Sequence, residues 1–201
     1  MKKMRNNAGF SLLEMLVAIA ILVILVVAIG TSMEAGTRIY KDATFESESG
    51  TLAGILNTAM GDILRYSINV RDEEYLLSRN ADFEVPADAV CYKNKKENDQ
   101  FFVFTSIDYG IQDAYFYLKP HSSGKNMSVL YMNNLRNGRT TELVNTGAYP
   151  DLLVSDLNLM YQPRLGNGVE GGYFDIEYKI KSASDPNKIR DVHTIVRLMN
   201  D

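Results

Sequence analysis

The sequence predicts an α+β chain in which one long N-terminal helix, membrane-spanning in its first half, packs on a C-terminal antiparallel β-sheet. Three observations carry that expectation. Residues 15–29, MLVAIAILVILVVAI, are apolar without a break. From Leu52 to Leu64 apolar residues recur every three or four positions, the pattern of a helix with one covered face. Beyond Arg79 the period falls to two, in short runs rich in Val, Phe, Tyr and Leu separated by turn residues.

Extended back to Phe10, the apolar segment is interrupted only by Ser11 and Glu14 and reaches about 30 Å as a helix, the hydrocarbon thickness of a bilayer. A cleaved secretory signal would need a small-residue cleavage site, which Ala28-Ile29-Gly30 matches only loosely. A helix of a soluble core would carry a polar face, and this segment has none. A membrane helix fits best. Lys2, Lys3 and Arg5 precede it and Arg38 and Lys41 follow, a slight bias for a cytoplasmic N-terminus.

Glu14 is what a simple anchor leaves unexplained. A carboxylate in hydrocarbon costs on the order of 2.5–3.5 kcal/mol, so it calls for a partner or for the positive end of the helix dipole.

The stretch Gly9-Phe10-Ser11-Leu12-Leu13-Glu14, behind a short basic leader, resembles the processing motif of type IV pilins and of secretion and competence pseudopilins. The resemblance implies removal of the leader after Gly9 by a prepilin peptidase, N-methylation of the new terminus at Phe10, and an assembly role for Glu14. It implies a Glu14 carboxylate paired with the Phe10 amine of a neighbouring subunit. In an apolar bundle such a pair recovers part of its desolvation cost, and a misregistered subunit leaves both charges unpaired. The implied partners are the peptidase/methylase, other pilins or pseudopilins, an inner-membrane assembly platform and, before assembly, the lipid bilayer; no cofactor is implied.

The chain then divides into a leader (1–9), a transmembrane and assembly helix (10–30), an amphipathic continuation (31–70) and an extracytoplasmic β-rich domain (71–201). The helix is expected to run from Phe10 to about Asn69. Gly30, Gly36, Gly50, Gly54 and Gly61 allow bending or close approach along it, and the proline that many major pilins carry after the apolar run is missing, Thr31 standing in that neighbourhood. Arg71–Arg79 reads as a short helix or a charged turn. Strands are expected at 83–92, 100–107, 114–118, 128–132, 142–144, 152–161, 173–181 and 193–198, with turns at Asn137-Gly138 and Asn167-Gly168 and a charged loop at 92–99. The last third, from Leu153 to Tyr161 and through two further strands, looks like the larger minor pilins and J-type pseudopilins.

The 21 Lys and Arg against 25 Asp and Glu give a net charge of −4, and three of the cations sit in the first five residues. That balance argues against nonspecific capture of nucleic acid, although Lys93, Lys95 and Lys96 form one basic cluster, read as a solvated turn. His121 and His193 show no metal-ligand spacing and no Ser or Cys partner, lone Cys91 reads as a small strand residue, and no glycine pattern suits a nucleotide. The expected function is a non-enzymatic structural subunit, a minor pilin for filament initiation, assembly or adhesion. The alternatives are a secretion or competence pseudopilin and a membrane-anchored binding module.

Overall fold

A computed structural model describes residues 11–85, 91–93, 100–106, 110–120, 128–162 and 172–199. The chain divides into two compact units, 1–46 and 47–201. Helix α1, Leu12–Arg65, supplies most of the first and opens the second.

In the second unit, Leu52, Ala53, Leu56, Met60, Ile63 and Leu64 of α1 are buried. Ile55, expected within this stripe, is 42% exposed. At 100° per residue it lies roughly 120° round the helix from the stripe's centre, and Ala53 takes the covered position instead. Gly61 faces Val196 at 3.7 Å, whereas a side chain at Gly54 would meet nothing within 4 Å among the described residues.

The helix ends at Arg65, short of the Asn69 expected from sequence, because Ser67–Asp72 forms strand β1. Ile68 and Val70 are β-branched and favour a pleated surface over a helix end. The carbonyls that lose helical partners are met from elsewhere in the fold. Met199 donates its N–H to Arg65 O at 2.9 Å, and Ser106 Oγ donates to Tyr66 O at 3.3 Å. Helix α2, Glu73–Arg79, follows and buries Leu76.

The remaining strands are β2 (Cys91–Lys93), β3 (Gln100–Ser106), β4 (Ile111–Pro120), β5 (Ser128–Asn134), β6 (Arg139–Asn145), β7 (Leu152–Gln162), β8 (Tyr173–Ser182) and β9 (Ile189–Arg197). A 3-10 turn, Thr146–Ala148, joins β6 to β7. Their order is β6-β5-β4-β3-β2-β7-β8-β9, with β1 paired to β3 off that path. All described pairings are antiparallel except β2 with β7.

Strand β3 is the junction, pairing with β1, β2 and β4, and its Phe101, Phe102, Val103 and Phe104 are all buried. Such a run without alternation is what a strand covered on both faces requires. In β8, Phe174, Ile176, Tyr178 and Ile180 are buried on one face while Tyr173, Glu177 and Lys179 are exposed on the other. Tyr178 ties helix to sheet, its hydroxyl lying 3.1 Å from Ala53 O and 3.0 Å from Asn57 Oδ1 of α1.

Two expected elements shift. Of the strand expected over 83–92, Phe83–Val85 is not in a strand, residues 86–90 lie outside the described residues, and only Cys91 and Tyr92 pair. Strand β9 begins at Ile189, four residues before the expected His193, since its register with β8 starts at Lys181↔Ile189. The Asn137-Gly138 turn is present, with Gly138 at φ 64°, a backbone that costs glycine nothing. Asn167-Gly168, His121, Lys95 and Lys96 lie outside the described residues.

Candidate membrane and assembly segment

From Leu12 to Ile29 every side chain of α1 is exposed, Leu12 by 84% and Ile24 by 68%. Apolar side chains exposed on all sides of a helix fit a hydrocarbon or helix-bundle environment and have no stable place in water. Among the described residues this is the one helix long and apolar enough to cross a membrane, which supports a single membrane-spanning segment.

At its start, Ser11 and Glu14 hold one another. Ser11 N–H donates to Glu14 Oε2 at 2.9 Å and Glu14 N–H donates to Ser11 Oγ at 3.2 Å, the reciprocal capping box of a helix N-terminus. Two backbone donors that could find no water in hydrocarbon are thereby satisfied within the chain. Glu14 Oε2 is engaged in this cap, and no donor among the described residues meets Oε1.

The sequence reading singled out Glu14 and treated Ser11 as a mere interruption. Ser-x-x-Glu directly before an apolar run is the signal that would have found it. The expected cleavage site Gly9–Phe10, the methylated amine of Phe10, and so the cationic half of the expected assembly pair lie outside the described residues.

Past the apolar run, the hydroxyls of Thr31 and Ser32 both donate to Ala28 O, at 3.0 and 2.8 Å. Thr37 and Thr44 bond in the same way to the carbonyls four residues before them. Each polar side chain is satisfied by the helix itself, and back-bonding of this kind favours slight bending where a proline would break the helix outright. Glu34 and Arg38 pair at 2.6 Å on an exposed turn.

In the second unit Cys91 is fully buried and accepts the Phe116 N–H at 3.3 Å. Desolvation pushes its thiol up to about 12 against the lesser opposing effect of that bond, leaving it protonated and inert. His193, which showed no metal-ligand spacing along the sequence, has its Nε2 2.5 Å from Asp175 Oδ1, and Glu177 stands directly across the β8–β9 ladder from it. The three offer ligand atoms within 4.8 Å of one another. Partners on a neighbouring strand leave no trace in the spacing along one strand, so sequence reasoning missed the group.

The family model for the prokaryotic N-terminal methylation motif matches residues 4–30. No curated protein and no solved structure matches the chain.

Proposed function

We propose that this chain, whose N-terminal methylation motif, long apolar helix and C-terminal β-sheet match the type IV pilin and pseudopilin family, is a minor pilin. Motif and fold are those of a structural, membrane-associated protein rather than a catalyst. The observation that carries the reading is the Gly9-Phe10 junction with Glu14 and the unbroken apolar helix behind it, inside the matched residues 4–30.

In this reading the chain enters the cytoplasmic membrane with its N-terminus inside and its β-rich domain outside. Prepilin peptidase cuts after Gly9 and methylates Phe10, and the assembly platform lifts the subunit out of the bilayer into a helical bundle. Glu14 then serves two partners. Oε2 keeps the Ser11 cap, and Oε1 receives the Phe10 ammonium of the adjoining subunit, so that assembly need not break the cap. The pair contributes register more than net affinity, because misplacement strands two charges in a low dielectric.

Mass spectrometry of the mature N-terminus tests the processing step. A chain beginning at methylated Phe10 is expected. An intact Met1 in a peptidase-positive cell, or a cut near Gly30, contradicts it.

The meander β7-β8-β9 favours a second reading, a J-type pseudopilin of a secretion system. Neighbouring genes separate the two: a retraction ATPase with an abundant major pilin supports the pilus, and a dedicated outer-membrane secretin supports secretion.

A further inference from the structure

We propose that the cleft bounded by β1, α2, β4 and the β5–β6 turn is an anion site that takes a phosphate-bearing ligand. The cleft has a volume of about 280 Å³, and its lining includes Arg71, Tyr75, Arg79, Gln112, Asp113 and Arg136. In a chain of net charge −4, three arginines from three separate segments meet at one depression.

Each is held by a contact that leaves its charge uncompensated. Arg71 lies with its guanidinium carbon 4.1 Å from the centre of the Tyr75 ring, and Arg79, one helical turn beyond Tyr75, at 5.5 Å. A guanidinium stacked on an aromatic ring keeps its in-plane N–H donors available and its full charge. Arg136 donates from Nη1 to Gln112 Oε1, a neutral acceptor. Its turn is anchored by the Arg136 N–H on Asn134 Oδ1 at 3.1 Å and by the Leu135 N–H on Asp113 O at 3.0 Å.

Among the described residues no carboxylate forms an ion pair with any of the three. Asp113, at φ 50° in a bulged part of β4, is the carboxylate in the lining. Three guanidiniums against one carboxylate leave an excess of two positive charges.

The arrangement selects for phosphate. A carboxylate presents two coplanar oxygens, which one guanidinium fork satisfies, whereas a phosphate or pyrophosphate presents oxygens in several directions and suits donors arriving from a strand, a helix and a turn. Preorganisation by Tyr75 and Gln112 lowers the entropy lost when the donors close on the ligand.

The test is calorimetric titration of the full chain in detergent micelles with pyrophosphate at constant ionic strength. Saturable one-to-one binding is expected. Arg79→Gln and Arg136→Gln should each weaken it by about tenfold. Arg139→Gln, in the same hairpin but outside this cleft, should leave it unchanged. Asp113→Asn should tighten binding, a gain that damage to the fold cannot imitate.

Glycerol 3-phosphate and dimethyl phosphate, compared under the same conditions, distinguish a phosphomonoester from a phosphodiester source, and binding of either supports the site. Absence of saturable pyrophosphate binding, an equal loss in Arg139→Gln, or glucuronate binding as tightly as pyrophosphate overturns it.

Discussion

Glu14 and Cys91 show what a single residue's surroundings decide. Both carry groups with chemical potential, and the fold gives only one of them a use. Glu14 stands at an exposed helix start, with its second oxygen unengaged among the described residues. Cys91 is sealed between strands with its thiol pushed up to about 12. Alkylation of the folded chain at about pH 8 should therefore be negligible until denaturant is added. Rapid labelling of native protein, followed by Ellman-type thiol counting, would show that β2 opens.

Asp151 is a carboxylate whose ionisation the fold supports. Burial opposes its charge, but hydrogen bonds from Ser182 Oγ, Ser184 Oγ and the Ser184 N–H, with Lys188 nearby, outweigh that and hold it below the ordinary carboxylate range. A depressed folded pKa gives stability that is present above about pH 4 and is lost as the pH falls further, through the folded value. Asp151→Ala should lower the melting temperature at neutral pH and flatten its fall in acid. Parallel acid limbs in thermal melts of the two proteins would show that the carboxylate contributes nothing.

Among the elements, α1 was legible because composition alone marks its first half and a 3.6-residue period its second. Its end was not, since Tyr66–Asn69 carries no glycine or proline stop, and what turns Ser67–Asp72 into a strand is the open edge of β3, whose paired residues lie 30 to 39 positions further along. The strands β3 to β8 announced themselves by alternation or by aromatic runs, while the start of β9 depended on register with β8. The same dependence hid the His193 group, whose members meet only across strands, and the place of Arg136, which joins Arg71, Tyr75 and Arg79 from a distant turn.

The bond between Tyr178 and α1 is the element-scale contact most open to test. Tyr178→Phe keeps the ring that fills the helix–sheet interface and removes a hydroxyl lying within bonding distance of Ala53 O and Asn57 Oδ1. A loss of about 1–3 kcal/mol is expected from denaturant melts, because a partly buried acceptor is left without its donor. An unchanged midpoint would mean that the interface rests on apolar packing alone.

For the whole molecule, two kinds of surface coexist in one chain. Residues 12–29 present apolar side chains on every side of a helix, whereas 47–201 bury their apolar side chains against one another. A chain built this way is stable only with its two parts in different surroundings, hydrocarbon or a helix bundle for 12–29 and water for the rest. The sequence carried that division openly, in the unbroken run at 15–29 and the striped and alternating patterns after it. In the proposed function, the charge at Glu14 is what ties the apolar helix to assembly.

That charge is tested by comparing Glu14→Gln with wild type for the ratio of protein in sheared filament fractions to processed protein in the membrane. The amide keeps the side chain's shape and its ability to accept the Ser11 N–H, so insertion and leader cleavage should continue at wild-type levels. The account predicts a sharp fall in filament incorporation at equal processed levels; wild-type incorporation of the variant would contradict it.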